Sequence, residues 1–88
     1  MSYDIRFTKT ARKQIALCKA ANLGGKVREL LDIIRENPFQ VPPSCEKLKG
    51  LDNVYSRRIN IQHRLVYHVD VNLKRIKILS LWTHYEYE

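Results

Sequence analysis

The chain has 88 residues, of which 44% are hydrophobic. This length and composition predict one globular domain, residues 1–88, with a single core, and they exclude a disordered chain. Lys and Arg number 16 against nine Asp and Glu, a net charge of +7, so the expected partner is a polyanion: nucleic acid, an anionic membrane or an acidic protein.

The N-terminal part of the chain is predicted to form one strand and two helices. Residues 2–8 alternate between apolar and polar side chains, which is typical of a strand. Thr8 can cap a helix predicted over 9–20. A second helix is predicted over 26–36, where apolar residues recur at helical spacing. Pro38 ends it, because the residue before a proline leaves the α region.

The rest of the chain is predicted to complete a sheet. Residues 37–53 hold all three prolines and predict a loop with a short strand at 46–49. Strands are predicted over 54–60, 64–71 and 74–83, the last of them inside the sheet because both of its faces are apolar. The order β-α-α-β-β-β predicts an α+β fold, with two helices on one face of a mostly antiparallel sheet of four to five strands.

The register of the strands at 54–60 and 64–71 decides which side chains share a face. Placing Asn60 opposite Arg64 leaves a three-residue loop and turns the apolar side chains of both strands, including Ile61, toward the helices. The same register leaves Arg58 and Arg64 together on the other face. The sequence therefore predicts a cationic patch on a sheet face that the helices do not cover.

Such a patch suits the cleavage of RNA by its own 2'-hydroxyl. That reaction needs a base for the hydroxyl proton, an acid for the departing 5'-oxygen and cations for the phosphate charge. Glu46 is the candidate base and His84 the candidate acid. Arg58 and Arg64 are the candidate phosphate ligands, because one guanidinium can contact two phosphate oxygens. Tyr85 can stack on a base or donate a hydrogen bond to phosphate.

Further cations near these positions are predicted to bind RNA or its phosphates: Lys47, Lys49, Arg57 and His63. No metal and no cofactor is expected, because the three histidines and two cysteines lack the spacing of metal ligands. Basic residues interrupt the start of the chain, and no window is apolar enough to span a membrane. We therefore expect a cytoplasmic protein that does not associate with membranes.

The stretch VYSRRINIQHRLVYHV, preceded by PSCEKLKGL and followed by THY, resembles the YoeB/Txe toxins of bacterial type II toxin–antitoxin systems, which belong to the RelE/ParE superfamily. The resemblance covers essentially the whole chain in element order and is strongest from Glu46 to Tyr85. It implies a RelE-like fold and a ribosome-dependent endoribonuclease, an mRNA interferase that cuts mRNA in the ribosomal A site and inhibits translation. The partners it implies are the 70S ribosome, mRNA and a cognate acidic antitoxin of the YefM/Phd type, with a homodimer as a further expectation.

The resemblance also implies a role for each candidate residue. Glu46 corresponds to the general base, Arg64 to the group that stabilises the phosphate, and His84 to the general acid. Tyr85 shapes the site and Arg58 assists phosphate binding. Two other functions stay open at this point. One is a non-catalytic RNA- or ribosome-binding module that uses the same cations. The other is a ParE-like inhibitor of a protein such as gyrase.

Overall fold

The computed structural model describes residues 2–82 of the chain. They form, in order, β1 (Asp4–Phe7), α1 (Lys9–Ala20), α2 (Gly24–Glu36), β2 (Glu46–Lys47), β3 (Val54–Arg58), β4 (Arg64–Asp70) and β5 (Arg75–Ser80). The predicted order of strands and helices is confirmed, and β2 is the short strand that was expected within 46–49. The last predicted strand, 74–83, is shorter in the structure, and its final predicted residue lies outside the described part of the chain.

The strands form one mixed sheet in the order β1-β5-β4-β3-β2. β1 pairs with β5 in parallel, whereas the β2–β3, β3–β4 and β4–β5 pairs are antiparallel. β5 therefore lies inside the sheet, as its two apolar faces predicted. The α+β fold with a mostly antiparallel sheet is confirmed. No helix within residues 2–82 has the length and apolar character needed to cross a membrane.

The two helices begin and end for local reasons. Thr8 caps α1, because its Oγ1 accepts a hydrogen bond of 3.0 Å from the Ala11 backbone amide. α2 starts at Gly24, two residues before the predicted start, and no side chain caps it. It ends at Glu36, and the next residue, Asn37, has an extended backbone because it precedes Pro38.

The main core lies between the helices and one face of the sheet. α1 contributes Ala11 and Cys18, while α2 contributes Val27, Leu30 and Ile34. The buried residues that face them from the rest of the chain are Ile59, Leu65, Tyr67, Val69, Ile76, Ile78 and Leu81. Burial of each large apolar side chain contributes roughly 1.5–3 kcal/mol, so this face holds most of the hydrophobic stabilisation.

The opposite face of the sheet is only partly open. Leu48, Val54 and Val66 form a second, smaller buried cluster there, against which Leu51 and Leu79 pack. The segment that follows β2 therefore covers the middle of a face that was predicted to be uncovered. The end of β3 and the start of β4 remain accessible, and this is where Arg58 and Arg64 lie.

The register between β3 and β4 differs from the predicted one by two residues. Arg58, and not Asn60, lies opposite Arg64. The connection is longer than predicted because the Asn60 side chain folds it: Asn60 Oδ1 accepts hydrogen bonds from the Gln62 and His63 amides at 2.8 and 2.7 Å. Ile61, predicted to face the helices, is instead 89% exposed at the tip of this connection.

The shift of two residues changes which residues are paired across the two strands, but not which face of the sheet they occupy. Side chains alternate between faces with a period of two, so an even shift leaves the paired residues of β3 and β4 on their predicted faces. Arg58 and Arg64 consequently remain on the face away from the helices, and the shift brings them directly opposite each other.

Candidate functional site

A groove of about 570 Å³ opens where β2, β3 and β4 meet the start of α2. Its lining consists of Lys26, Pro43, Ser44, Glu46, Ser56, Arg58, Ile59 and Arg64. Three of the residues that the sequence analysis selected, Glu46, Arg58 and Arg64, are thus brought together. The two-residue strand β2 is responsible for this, because it places Glu46 directly opposite Ser56 in β3.

Arg64 connects the two sides of the groove. Its Nη1 donates to Glu46 Oε1 at 2.8 Å and to Ser56 Oγ at 3.2 Å. The side chain of Arg64 is 24% exposed, whereas that of Glu46 is 63% exposed. The guanidinium is therefore held in one orientation while the carboxylate stays accessible to a ligand.

The charge in the groove favours an anion. Three cations, Lys26, Arg58 and Arg64, line it together with one carboxylate, that of Glu46. Arg58 and Arg64 are cross-strand partners, and like charges directly opposite each other destabilise a sheet. A bound phosphate would remove this repulsion, because a guanidinium matches two phosphate oxygens in one plane.

His84 and Tyr85, predicted as general acid and site-shaping residue, lie outside the described residues. The chain that leads to them is well anchored. The backbone amides of Leu81 and Trp82 both donate to Gln14 Oε1, at 2.7 and 3.2 Å. The ring of Trp82 stacks on His63, with centroids 4.1 Å apart and planes 16° from parallel. Residue 82 is thus held against the connection that leads into Arg64.

The structure contradicts the phosphate-binding role predicted for Arg57. Arg57 lies opposite Leu65 on the helix side of the sheet and is 0% exposed. Its guanidinium donates to Tyr67 Oη and to backbone carbonyls of the preceding loop. A fully buried side chain cannot reach RNA, and Arg57 is one residue out of phase with the groove because adjacent strand residues point to opposite faces.

The other predicted cations also lie apart from the groove. Lys47 is exposed and sits opposite Tyr55, which places it on the other face from Glu46. Lys49 is exposed in the loop that follows, and both lysines line a shallower depression of about 350 Å³. His63 is half-buried under Trp82 and does not line the groove.

Three polar groove residues were not selected from the sequence: Lys26, Ser44 and Ser56. Ser56 carried a detectable signal, since it lies two residues before Arg58 and so on the same face. Lys26 carried none, because α2 delivers it from a distant part of the sequence. Ser44 lies in the loop before β2, where no periodicity predicts orientation.

Two buried groups with a raised pKa, Tyr67 and Cys18, lie in the main core and do not line the groove. Burial raises the pKa of Tyr67, and its hydrogen bond with Cys45 at 3.4 Å acts in the same direction. Tyr67 is therefore a neutral phenol and can donate to the Pro38 carbonyl at 2.8 Å. Burial also raises the pKa of the Cys18 thiol in the main core. Within residues 2–82, no cluster of three or more His, Cys, Asp and Glu residues is placed to hold a metal ion.

The groove offers a base and phosphate ligands for the cleavage of a phosphodiester. An exposed carboxylate can accept a proton from a hydroxyl, and a guanidinium 2.8 Å from it can hold the phosphate that the hydroxyl attacks. The acid that completes such a reaction is not among the groove residues of the described chain, and the sequence places its candidate, His84, just beyond Trp82.

Solved structures of bacterial toxins have a fold similar to that of this chain. The chain is 26% identical to the YoeB/ParE toxin from Agrobacterium tumefaciens, with 93% of this chain and 99% of that chain covered and a TM-score of 0.84. It is 38% identical to a chain of the YoeB–YefM complex from Staphylococcus aureus, with coverages of 97% and 100% and a TM-score of 0.78. The YoeB dimer from the same organism has the same identity and coverages, with a TM-score of 0.81.

No curated protein sequence matches the chain. A sequence model of a family matches residues 7–85, and that family is described as the YoeB-like toxin of bacterial type II toxin–antitoxin system. The match includes every residue that lines the groove, and also His84 and Tyr85. The chain therefore belongs to the YoeB-like toxins of bacterial type II toxin–antitoxin systems.

Proposed function

We propose that this toxin is a ribosome-dependent endoribonuclease that cleaves mRNA in the A site and so inhibits translation. The observation that carries the proposal is the contact between Glu46 and Arg64, at 2.8 Å, in a groove where cations outnumber carboxylates three to one. A carboxylate fixed beside a phosphate-binding cation is what removal of the 2'-hydroxyl proton requires.

In the proposed reaction, the Glu46 carboxylate takes the proton of the 2'-hydroxyl, and the freed oxygen attacks the adjacent phosphorus. The bond from phosphorus to the 5'-oxygen breaks, and His84 gives its proton to that oxygen. The products are a 2',3'-cyclic phosphate and a free 5'-hydroxyl. Arg64 and Arg58 stabilise the charge that accumulates on the phosphate oxygens, and stabilisation of developing charge usually contributes more to catalysis than any other effect.

Dependence on the ribosome fits the form of the groove. The groove is open and three cations line it, so it can bind the phosphates of RNA of any sequence. With a net charge of +7 on 88 residues, the chain is suited to bind at a surface made of RNA, such as the A site of the 70S ribosome in the cytoplasm. The ribosome then supplies the alignment of the mRNA that an open groove cannot supply alone.

The cognate partner in this proposal is an acidic antitoxin of the YefM/Phd type. YoeB from Staphylococcus aureus occurs in a YoeB–YefM complex and also as a YoeB dimer. An acidic segment that lies across Arg58 and Arg64 would relieve their mutual repulsion and exclude RNA from the same cations. A homodimer of this chain is proposed on the same likeness.

The test is primer extension on an mRNA translated with purified toxin variants. Glu46→Gln keeps the size of the side chain and removes its capacity to accept a proton, so cleavage should fall by roughly 10²–10⁴-fold while ribosome binding is kept. His84→Ala should behave in the same way, whereas Arg64→Ala should weaken both cleavage and binding. Glu36→Gln, at the exposed end of α2, is the matched control and should cleave like wild type.

The possible outcomes separate the functions that the sequence left open. Cleavage that survives both Glu46→Gln and His84→Ala contradicts the proposed base and acid. Wild-type protein that binds ribosomes and yields no cut product is a non-catalytic binding module. Inhibition of a topoisomerase with intact mRNA indicates a ParE-like protein target.

A further inference from the structure

The segment that delivers Glu46 to the groove is residues 38–45 of the loop that connects α2 to β2. Pro43 and Ser44, near its end, line the groove next to Glu46. Most of the loop is exposed, and β2 is only two residues long, so backbone pairing with β3 provides little restraint. Something other than secondary structure must hold this side of the groove.

Arg57 supplies that restraint from beneath the loop. Its Nη2 donates to the carbonyls of Pro38 and Gln40, at 3.1 and 2.8 Å, and its Nη1 donates to the carbonyl of Pro43 at 2.9 Å. One guanidinium thus satisfies three carbonyls spread over the loop. Its Nε donates to Tyr67 Oη at 3.0 Å, which fixes the plane of the group.

Tyr67 provides a second anchor to the same loop. Its hydroxyl donates to the Pro38 carbonyl at 2.8 Å and lies 3.4 Å from Sγ of Cys45, the residue before Glu46. Both ends of the loop are therefore connected to one buried pair, Arg57 and Tyr67, each 0% exposed. No carboxylate neutralises Arg57 among its hydrogen-bond partners in the described chain, so its charge is directed entirely at loop carbonyls and a phenol.

We propose that Arg57 is a positioning residue that fixes the 38–45 loop and thereby holds the Glu46 carboxylate at the wall of the groove. The inference rests on the proposed function, because it concerns the base of that reaction. Arg57 does not touch RNA. It acts through the loop, and a misplacement of the base by about 1 Å can lower a rate by roughly a hundredfold.

The test compares Arg57→Lys with Arg6→Lys, a matched change at a surface arginine of β1. Lysine keeps the charge and cannot donate to several carbonyls in the same fork. In Arg57→Lys, the hydrogen-bonded amides of Phe39 and Gln40 should exchange hydrogen at least about tenfold faster, kcat per folded molecule should fall by roughly a hundredfold, and KM should change by less than about twofold. Arg6→Lys should match wild type in all three.

A double variant separates positioning from a general loss of structure. If Arg57 acts through Glu46, then adding Arg57→Lys to Glu46→Gln should lower the remaining activity by less than about twofold, because the base is already absent. A merely structural role would lower that remaining activity as much as it lowers the activity of wild type.

Two results would overturn the inference: a folded Arg57→Lys protein with unchanged loop exchange and kcat, or full additivity in the double variant. Should Arg57→Lys fail to fold, Tyr67→Phe decides in its place, since it removes only the hydroxyl that contacts Arg57, Pro38 and Cys45. Unchanged exchange and kcat in that variant count against the inference. Absence of cleavage by wild type contradicts the proposed function alone, because hydrogen exchange still reports on the loop.

Discussion

Removal of the Tyr67 hydroxyl should lower stability at neutral pH and make it less sensitive to alkali. The hydroxyl accepts a hydrogen bond from Arg57 Nε and donates one to the Pro38 carbonyl. Tyr67→Phe leaves the Nε donor buried without a partner, while the carbonyl keeps its bond from Arg57 Nη2. One orphaned donor on a charged group costs about 2 kcal/mol, which is the expected decrease in the free energy of unfolding near pH 7.

Alkaline pH should reduce the stability advantage of wild type over Tyr67→Phe. Burial raises the pKa of Tyr67 in the folded protein above its ordinary value of 10.0. The unfolded chain therefore loses this proton first, and the stability that Tyr67 contributes is present below pH 10 and is lost as pH rises further. At about pH 11, one unit above the ordinary pKa, the free energy of unfolding of wild type has fallen by about 1.4 kcal/mol from this cause. The difference between wild type and Tyr67→Phe should shrink by this amount between about pH 8 and about pH 11.

Urea denaturation of both proteins across this pH range is the suitable assay, because the linear extrapolation gives the free energy of unfolding at each pH. Groups that do not contact the Tyr67 hydroxyl, such as Cys18, have the same surroundings in both proteins and cancel in the difference. Below about pH 9 the two curves should run in parallel. A difference that stays constant up to about pH 11 would refute the claim that the buried Tyr67 is held in its neutral form.

Two further predictions concern the scaffold. Leu30→Ala removes a fully buried side chain from α2 and should lower the free energy of unfolding by about 3 kcal/mol, measured by thermal or urea denaturation; a loss under about 1 kcal/mol would mean that the core collapses around the cavity. Thr8→Ala removes the cap of α1 and the hydrogen bond from Thr8 Oγ1 to the Leu79 carbonyl, and should cost about 1 kcal/mol in the same assay, with Thr10→Ala in the exposed first turn as a control expected to cost less.

Much of the fold could be predicted because local sequence patterns determine where its helices and strands lie. The Thr8 cap and the bounds of α1 follow from the sequence, as does the central place of β5, whose side chains are apolar on both faces. The RelE-like fold implied by the resemblance is confirmed by the match to the Agrobacterium tumefaciens toxin. The parallel pairing of β1 with β5 was not predicted, since alternation within a strand does not identify its partner.

The site was harder to predict because it depends on phase and on distant contacts. The apolar side chain of Ile61 suggested a longer β3 than the structure has, and the hydrogen bonds of Asn60 outweighed that hydrophobic signal. Arg57 and Arg58 have the same chemistry, and only their faces separate a loop anchor from a groove cation. The burial of Arg57 could not be predicted from composition, because all but one of its hydrogen-bond partners are backbone carbonyls, which every sequence possesses.

The two neighbouring arginines at the end of β3 should therefore tolerate change in unlike ways. All substitutions at positions 57 and 58 can be compared by how well each variant arrests growth. At position 57, lysine should abolish growth arrest almost as completely as a neutral residue does. Only the planar guanidinium of arginine can donate to the three loop carbonyls at once. At position 58 the side chain is exposed and meets phosphate alone, so lysine there should cost less activity than lysine at position 57. A sequence pattern that treats Arg57 and Arg58 as one cationic feature would therefore combine two different constraints, one on the loop contacts of Arg57 and one on the charge of the groove.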